Sequence, residues 1–368
     1  MAQATNTVVD GVVRVNGTVV PATHWSVEVN AYSISSSLDA TIATASARSF
    51  AKLPDLFALG QKVRPLPITI DLGLGADALP KSRLPLESGY VDEISRNHGE
   101  RIVMLSGRGS ASIFQDVQIT APLLRNARGS DLIARIFAKR GIPLSVSSGS
   151  SQYAGKTVEG QTFDQTMRGR SEWDVMQAIA VADGYRLTLH IGRGRYGPYG
   201  LNDPLLHAQW GRSGGDVRLV DLDVKQSPGK SHNIHVIARS FQPRSKRSIA
   251  VSYGNKGKDG EGFQISVKAG LTRSQLQVLV QKIYEDIAKR EFIATMVLVP
   301  NAKLLETVSQ HGANFSIALG GDVWPSEALR YEVRQIRFEF SPGGRGLPLL
   351  AHVVAGNLNP IQAGGFLS

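Results

Sequence analysis

The chain has 368 residues and no cysteine, which excludes disulfides, thiolate metal sites and thiol catalysis and leaves the core to hold itself together. Its 42% hydrophobic content is ordinary for globular proteins, and 38 glycines and 17 prolines without a period fit two or three turn-rich domains rather than a collagen-like chain. The net charge of +10 favours nucleic acid or acidic protein surfaces, and the absence of a long apolar run or a basic-then-apolar start predicts no signal peptide and no membrane anchor, hence synthesis in the cytoplasm.

In chain order, Val12-Val13-Arg14-Val15 meets Asn16-Gly17, the pair that tolerates positive φ, and predicts a hairpin closed by Thr18-Val19-Val20. Trp25, Val27 and Val29 alternate with polar neighbours, placing Trp25 in the core of a half-buried strand. Pro65 and Pro67 cannot donate to a central ladder, so a strand between Val63 and Leu72 is expected at an edge or after them. Ser88 to Ile94, a turn at Asn97-His98-Gly99 and Arg101 to Leu105 form a hairpin-like segment leading into Gly107-Arg108.

The period then changes. Ser130 is the expected cap of a helix with Leu132, Ile133, Ile136 and Phe137 on one face, ended by Gly141 and Pro143. Ser145 to Gly160 reads as an exposed loop, and Ser171 with Asp174 forms a capping-box-like start before Trp173, Met176, Ile179 and Ala180, with Gly184 as the stop. Strand alternation returns at Tyr185 to Leu189.

A second β block starts near Val217. Ile234, Val236 and Ala238 lead through a basic turn, Arg244, Lys246 and Arg247, to Ile249, Val251 and Tyr253; the turn reads as a solvated loop, with lumen, partner or nucleic-acid contact as its alternative role. The longest helix spans 272–290, capped by Thr272 and Gln275, with Leu276, Leu279, Val280, Ile283 and Ile287 on one stripe. A second hairpin-like segment runs from Phe315 to Leu319, turns at Gly320-Gly321-Asp322, and returns from Tyr331 to Phe340. Tyr331 and Val333 occupy one phase of the last strand and Ile336, Phe338 and Phe340 the other, which predicts a β-bulge at Arg334-Gln335. Beyond Ser341 the chain reads as an arm without a core.

Chemical motifs lack their structural context. Gly192-Arg193-Gly194-Arg195-Tyr196-Gly197 has dinucleotide-binding spacing, but Pro198 and Pro204 leave no helix to receive a pyrophosphate, and Gly149 with Gly155-Lys156-Thr157 misses phosphate-loop spacing by one residue. His232 and His235, three apart on a strand, point to opposite faces. No spacing singles out an acid/base pair among Asp92, Glu93, Glu159 and Glu172, so no catalytic, cofactor or metal site is expected and the chain reads as a non-enzyme.

The order of several segments resembles a known family. These are His24-Trp25-Ser26-Val27, Ser88-Gly89-Tyr90-Val91-Asp92, Leu105-Ser106-Gly107-Arg108 with Asp116, Ser130-Asp131-Leu132-Ile133 to Gly141-Ile142, Ser171-Glu172-Trp173-Asp174 to Gly184, Leu319-Gly320-Gly321-Asp322-Val323-Trp324, and Tyr331-Glu332-Val333. Together they resemble the baseplate hub proteins of bacteriophage tails, the late control protein D family, which are also similar to the hub part of type VI secretion spike proteins. Gly109 and Pro325-Ser326 depart from the family pattern.

The resemblance implies a mainly β chain with an α+β insertion: two tail-tube-like β-barrel domains plus a small mixed α/β domain. The expected boundaries are a first barrel at 1–118 completed by 206–225, the mixed insertion at 119–205, a second barrel at 226–345 with the 272–290 helix, and a C-terminal arm at 346–368. It further implies a structural, virion-located hub without cofactors. The hub would be a homotrimer whose ring adapts a sixfold tail tube or distal tail protein above to a separate threefold spike below, beside other baseplate proteins, with transient DNA passage through its lumen. Trp25, Gly89, Gly107, Arg108, Trp173, Gly184, Gly320, Tyr331 and Val333 would be its structural motif residues. A hub-associated peptidoglycan hydrolase and a basic nucleic-acid-binding protein are the alternatives.

Overall fold

The computed structural model describes residues 8–31, 35–43, 55–63, 65–74, 82–119, 129–146, 157–158, 161–162, 169–183, 185–198, 203–210, 215–226, 234–242, 245–254, 261–267, 271–274, 276–277, 279–281, 284, 292–321, 323, 330–341 and 349–357. The first hairpin, β1 (Val8–Val15) and β2 (Thr18–Val20), turns on Asn16 and Gly17 with φ of 49° and 77°, the left-handed pair its two-residue loop requires. Then come β3 (Ala22–Asn30), β4 (Ser37–Ala43), a short helix α1 (Leu56–Lys62), and the meander β5 (Leu66–Leu74), β6 (Ser82–Asn97) and β7 (Ile102–Gly109). Their paired order is β3-β4-β7-β6-β5-β1-β2. Trp25, Val27, Leu38, Ile42, Ile68 and Ile70 are fully buried on the inner face.

Against the expectation from Pro65 and Pro67, β5 includes Pro67 and pairs with both β1 and β6. Pro67 is tolerated because its carbonyl, accepting from Asn16 N at 2.9 Å, faces β1 just past the last paired residue, Ile68. The missing N–H therefore falls where that ladder has ended.

The mixed insertion holds α2 (Ser112–Gln115), α3 (Gly129–Lys139), β8 (Leu144–Val146), the short pair β9 (Thr157–Val158) and β10 (Gln161–Thr162), α4 (Glu172–Asp183), and the hairpin β11 (Tyr185–His190) and β12 (Arg193–Pro198). Ser130 lies inside the first turn of α3 rather than capping it, whereas Ser171 Oγ accepts from Asp174 N at 3.0 Å at the start of α4. Phe114, Ile133, Phe137, Trp173, Met176, Ile179 and Tyr196 form a core separate from that of the large sheet. The dinucleotide-like glycine run is a hairpin, with Ile191 and Gly192 as its turn at φ 48° and 66°. The stretch expected as a loop contributes to β8 and β9, and the rest of it lies outside the described residues.

After the insertion come β13 (Leu205–Trp210), β14 (Val217–Gln226), β15 (Ile234–Gln242), β16 (Arg247–Gly254), β17 (Glu261–Val267), β18 (Phe292–Val299), α5 (Ala302–His311), β19 (Ser316–Gly321), β20 (Arg330–Phe340) and β21 (Leu349–Asn357). Six of them, β13-β14-β18-β21-β20-β19, close into a barrel because β19 also pairs with β20. β15, β16 and β17 form their own sheet, covered by helical residues between Arg273 and Tyr284 through Leu276 and Val280. Gln275, Ile283 and Ile287 of the expected helix stripe lie outside the described side chains.

Three boundaries differ from the sequence reading. Strands β13 and β14 complete the second barrel rather than the first, since they pair with β19 and β18. The segment from Ile234 to Val267 is a satellite sheet rather than barrel wall. The expected C-terminal arm contains β21, a central strand between β18 and β20, with Leu349, Ala351, Val353 and Ala355 buried. Its inward residues are mostly small, so its apolar signal is faint until both neighbours are in place.

One sheet of 13 strands runs through both modules, joined at a seam where Gln335–Phe340 of β20 pairs with Trp25–Asn30 of β3. The modules share a chain order, strand–strand–helix–strand–strand–strand. In the first this is β3, β4, α1, β5, β6, β7; in the second it is β14, β18, α5, β19, β20, β21. Their sheet orders match as well, β3-β4-β7-β6-β5 against β14-β18-β21-β20-β19. The fold is mainly β with an α+β insertion, and its module occurs twice.

Candidate functional site

The seam is built from aromatic bulk. Trp25 is fully buried and stacks on Phe340 with ring centroids 5.5 Å apart and planes 10° from parallel, and a side chain at Gly11 would collide with the indole. Tyr331 and Val333 are fully buried in β20 on the barrel side. The predicted bulge is present, as the β20–β21 register shifts between Val333 and Gln335, and Arg334 O accepts from Ala31 N at 2.9 Å. This extra residue moves β20 from its pairing with β19 to its pairing with β3.

In the first module β6 carries the matching shift, between Val91 and Glu93. Arg108 bridges the bulge: its guanidinium donates to Asp92 at 2.7 and 3.0 Å and to Asp116 at 2.9 Å twice. These two forked carboxylate contacts raise its already high pKa. The structure thus brings together Asp92, Arg108 and Asp116, spread over 25 positions of the sequence. Gly89 and Gly107 lie where β6 and β7 approach closely, because a Cβ on either would strike the backbone carbonyl of Arg108 or of Tyr90.

The insertion grips equivalent strands of both modules through β11. Arg186 donates to Asn314 at 2.7 Å, pairs with Asp203 at 3.3 Å, and holds Glu332 of β20. His190 Nδ1 donates to Glu87 of β6 at 3.1 Å. Burial would raise the Glu87 carboxyl, but the His190 charge and hydrogen bonds from His190, Ser36 and Ser88 N outweigh it and hold it below the ordinary range. A cleft of about 570 Å³ opens between β11, β12 and the end of α5, lined by Arg193, Arg195, His190, His311 and Asp203 among others. Burial, then Arg195, lowers the His311 pKa. The cleft lining is basic and polar; among the described residues no group of three His, Asp or Glu could hold a metal ion.

The remaining predicted residues are spread across the molecule. Trp173 is buried in the insertion core, 6.3 Å from Phe114. A side chain at Gly320 would meet nothing within 4 Å, so that position places no steric demand for glycine. Lys246 and Arg247 are exposed at the tip of the β15–β16 hairpin, and Arg244 and Gly184 lie outside the described residues. Sequence reasoning missed α5, although Asn301, whose side chain accepts from Leu304 N at 3.0 Å, the buried Leu304, Leu305 and Val308, and Gly312 at φ 62° spell its cap, stripe and stop. Asp216 ties α5 to β14 through Lys303; burial opposes ionisation there, but Lys303 and His207 N lower the Asp216 pKa.

No family model and no curated protein matches the sequence. Solved structures do match. The tail protein from Neisseria meningitidis MC58 superposes with a TM-score of 0.68 at 14% identity, over 98% of this chain and 100% of that one. The chain has a phage tail-protein fold. The 43 kDa tail protein of prophage MuSo2 from Shewanella oneidensis follows with a TM-score of 0.63, 13% identity, and 96% and 99% of the two chains. An E. coli component of the type VI secretion system, itself structurally similar to T4 bacteriophage tail proteins gp27 and gp5, gives 0.57 at 8% identity over 97% of this chain and 79% of its own.

Proposed function

We propose that the chain is a structural, non-enzymatic component of a phage or phage-like tail: a baseplate hub that assembles as a homotrimer and adapts a sixfold tube above to a threefold spike below. The observation that carries this reading is the repeated module. Two modules of one strand order, joined in one sheet, give three chains six quasi-equivalent positions, so a single ring can meet both symmetries.

The shared sheet also supplies a surface for the ring's channel. Across the seam, Asp221, Val297, His352, Arg337, Glu28, Ser37 and Arg108 are register neighbours on the face opposite the core. Charges of both signs alternate along that row, which suits passage of a polyanion without tight retention. The tube or distal tail protein, a spike protein and other baseplate proteins are the expected partners, and the tail of the virion is the expected location.

The test pairs the mass of the purified protein in solution with its position in an intact particle by electron microscopy. A trimer located where tube meets spike is the expected result. A monomer absent from particles defeats the reading, and clearing of peptidoglycan in a zymogram would defeat its non-enzymatic part.

A further inference from the structure

The seam inside the chain has two counterparts along which no described strand runs. Aligning the modules on their fourth-strand bulges places Glu93 of β6 at Gln335 of β20, so Glu93–Asn97 correspond to the stretch of β20 that pairs with β3. β6 leaves β5 at Val91, as β20 leaves β19 at Glu332, and no described strand runs along Glu93–Asn97 on that side. The first strands carry matched bulges too. The β3–β4 register shifts between Ala22 and His24, and the β14–β18 register between Leu219 and Asp221, which aligns Trp25 with Leu222, Val27 with Val224, and Glu28 with Lys225. β13 pairs with β14 only at Val217 and Arg218, so from Leu219 onward no described strand pairs with that side of β14.

We infer that Glu93–Asn97 of one copy pairs antiparallel with the Leu222–Gln226 edge of the next copy, in the register of the β20–β3 seam. Transferring that register places Ile94 opposite Gln226, Ser95 opposite Lys225, Arg96 opposite Val224 and Asn97 opposite Asp223. The occupant is thus a second copy of this chain, and the inference rests on the ring reading above while adding its edges and register.

Three features fit this partner. Leu222 and Val224 are only partly buried, whereas their counterparts Trp25 and Val27 are fully buried under β20. Exposed Lys225, whose ion pair is with its own-strand neighbour Asp223 at 3.6 Å, would face Ser95 with Glu93 one diagonal away. Two complementary edges on different modules of one chain make a head-to-tail interface, which closes into a ring when its rotation repeats that of the internal seam.

The absence of cysteine makes the test clean. The full chain carrying Ser95→Cys and Lys225→Cys is oxidised and run on a denaturing gel, with each single variant and the pair Asn97→Cys with Lys225→Cys as controls. Directly opposed strand residues have Cα atoms about 4.5–5.5 Å apart, within disulfide reach, and diagonal ones do not. The expected result is a covalent three-chain species in most of the oxidised first pair and monomers in the controls. If the reduced double variant has the wild-type mass and circular dichroism but stays uncrosslinked, or if the diagonal pair crosslinks better, the register is overturned while the ring stands. A wild-type monomer both in solution and in particles overturns the ring reading itself. If the first double variant misfolds, Ile94→Cys with Gln226→Cys takes its place, under the same criteria.

Discussion

The two modules share strand order and bulges but differ in how they end. In the second, β13 runs parallel to both β19 and β14 and closes the barrel. In the first, the sixth strand β1 runs antiparallel to β5, and no described pairing joins it to β3; Gly11 instead admits the Trp25 ring. Insertions differ as well. The β3–β4 link is short, whereas the equivalent β14–β18 link carries a whole satellite sheet. What is kept between the modules is the five-strand sheet, with its one non-consecutive pairing, its helix and its strand edges. What varies is the closing strand and the surface link, where extra chain costs little.

The comparison breaks most visibly at the seam. Trp25→Ala empties the stack on Phe340 and should cost about 3–5 kcal/mol in chemical denaturation; a loss under about 1 kcal/mol would mean that the modules do not depend on their shared contact. Next, Glu87→Gln removes one partner of a buried pair between β6 and β11 and should cost about 3 kcal/mol at neutral pH. Because the folded Glu87 pKa is depressed, its contribution is fully present above the unfolded carboxyl value of about 4.3 and is lost as pH falls through the lower folded value. Thermal melts from pH 7 to pH 3 should therefore draw together for wild type and variant as the pH falls.

Smaller effects sharpen the contrast between equivalent elements. Asn301→Ala removes the cap of α5 and should cost about 1 kcal/mol, read as a shift of the urea midpoint. Gly320→Ala should stay within about 0.5 kcal/mol of wild type because its Cβ enters open space, whereas a side chain at Gly107 meets the Tyr90 carbonyl. Equal tolerance at both glycines would remove the steric reading of the β6–β7 crossing.

Much of this was legible locally. The Asn16-Gly17 hairpin, the Ser171 cap and the phase change at Arg334-Gln335 are each set by neighbouring residues, and the structure contains all three. Other elements were masked by long-range pairing. Pro67 sits in a two-sided strand because its missing donor falls past the end of one ladder, and α5 was overlooked beside the stronger β alternation around it. The Arg186–Glu332 contact spans 146 positions, and no local spacing announces it.

The sequence by itself determined the strand-rich character and the uncrosslinked core, since alternation, turn chemistry and cysteine count act within a few residues. Only the tertiary structure decided which strands belong to which module. Pairing partners are chosen by burial and hydrogen bonding across hundreds of positions, so β13 and β21 could join the second module from either side of the satellite sheet, and the twofold repetition of one strand order came into view only with all its neighbours in place.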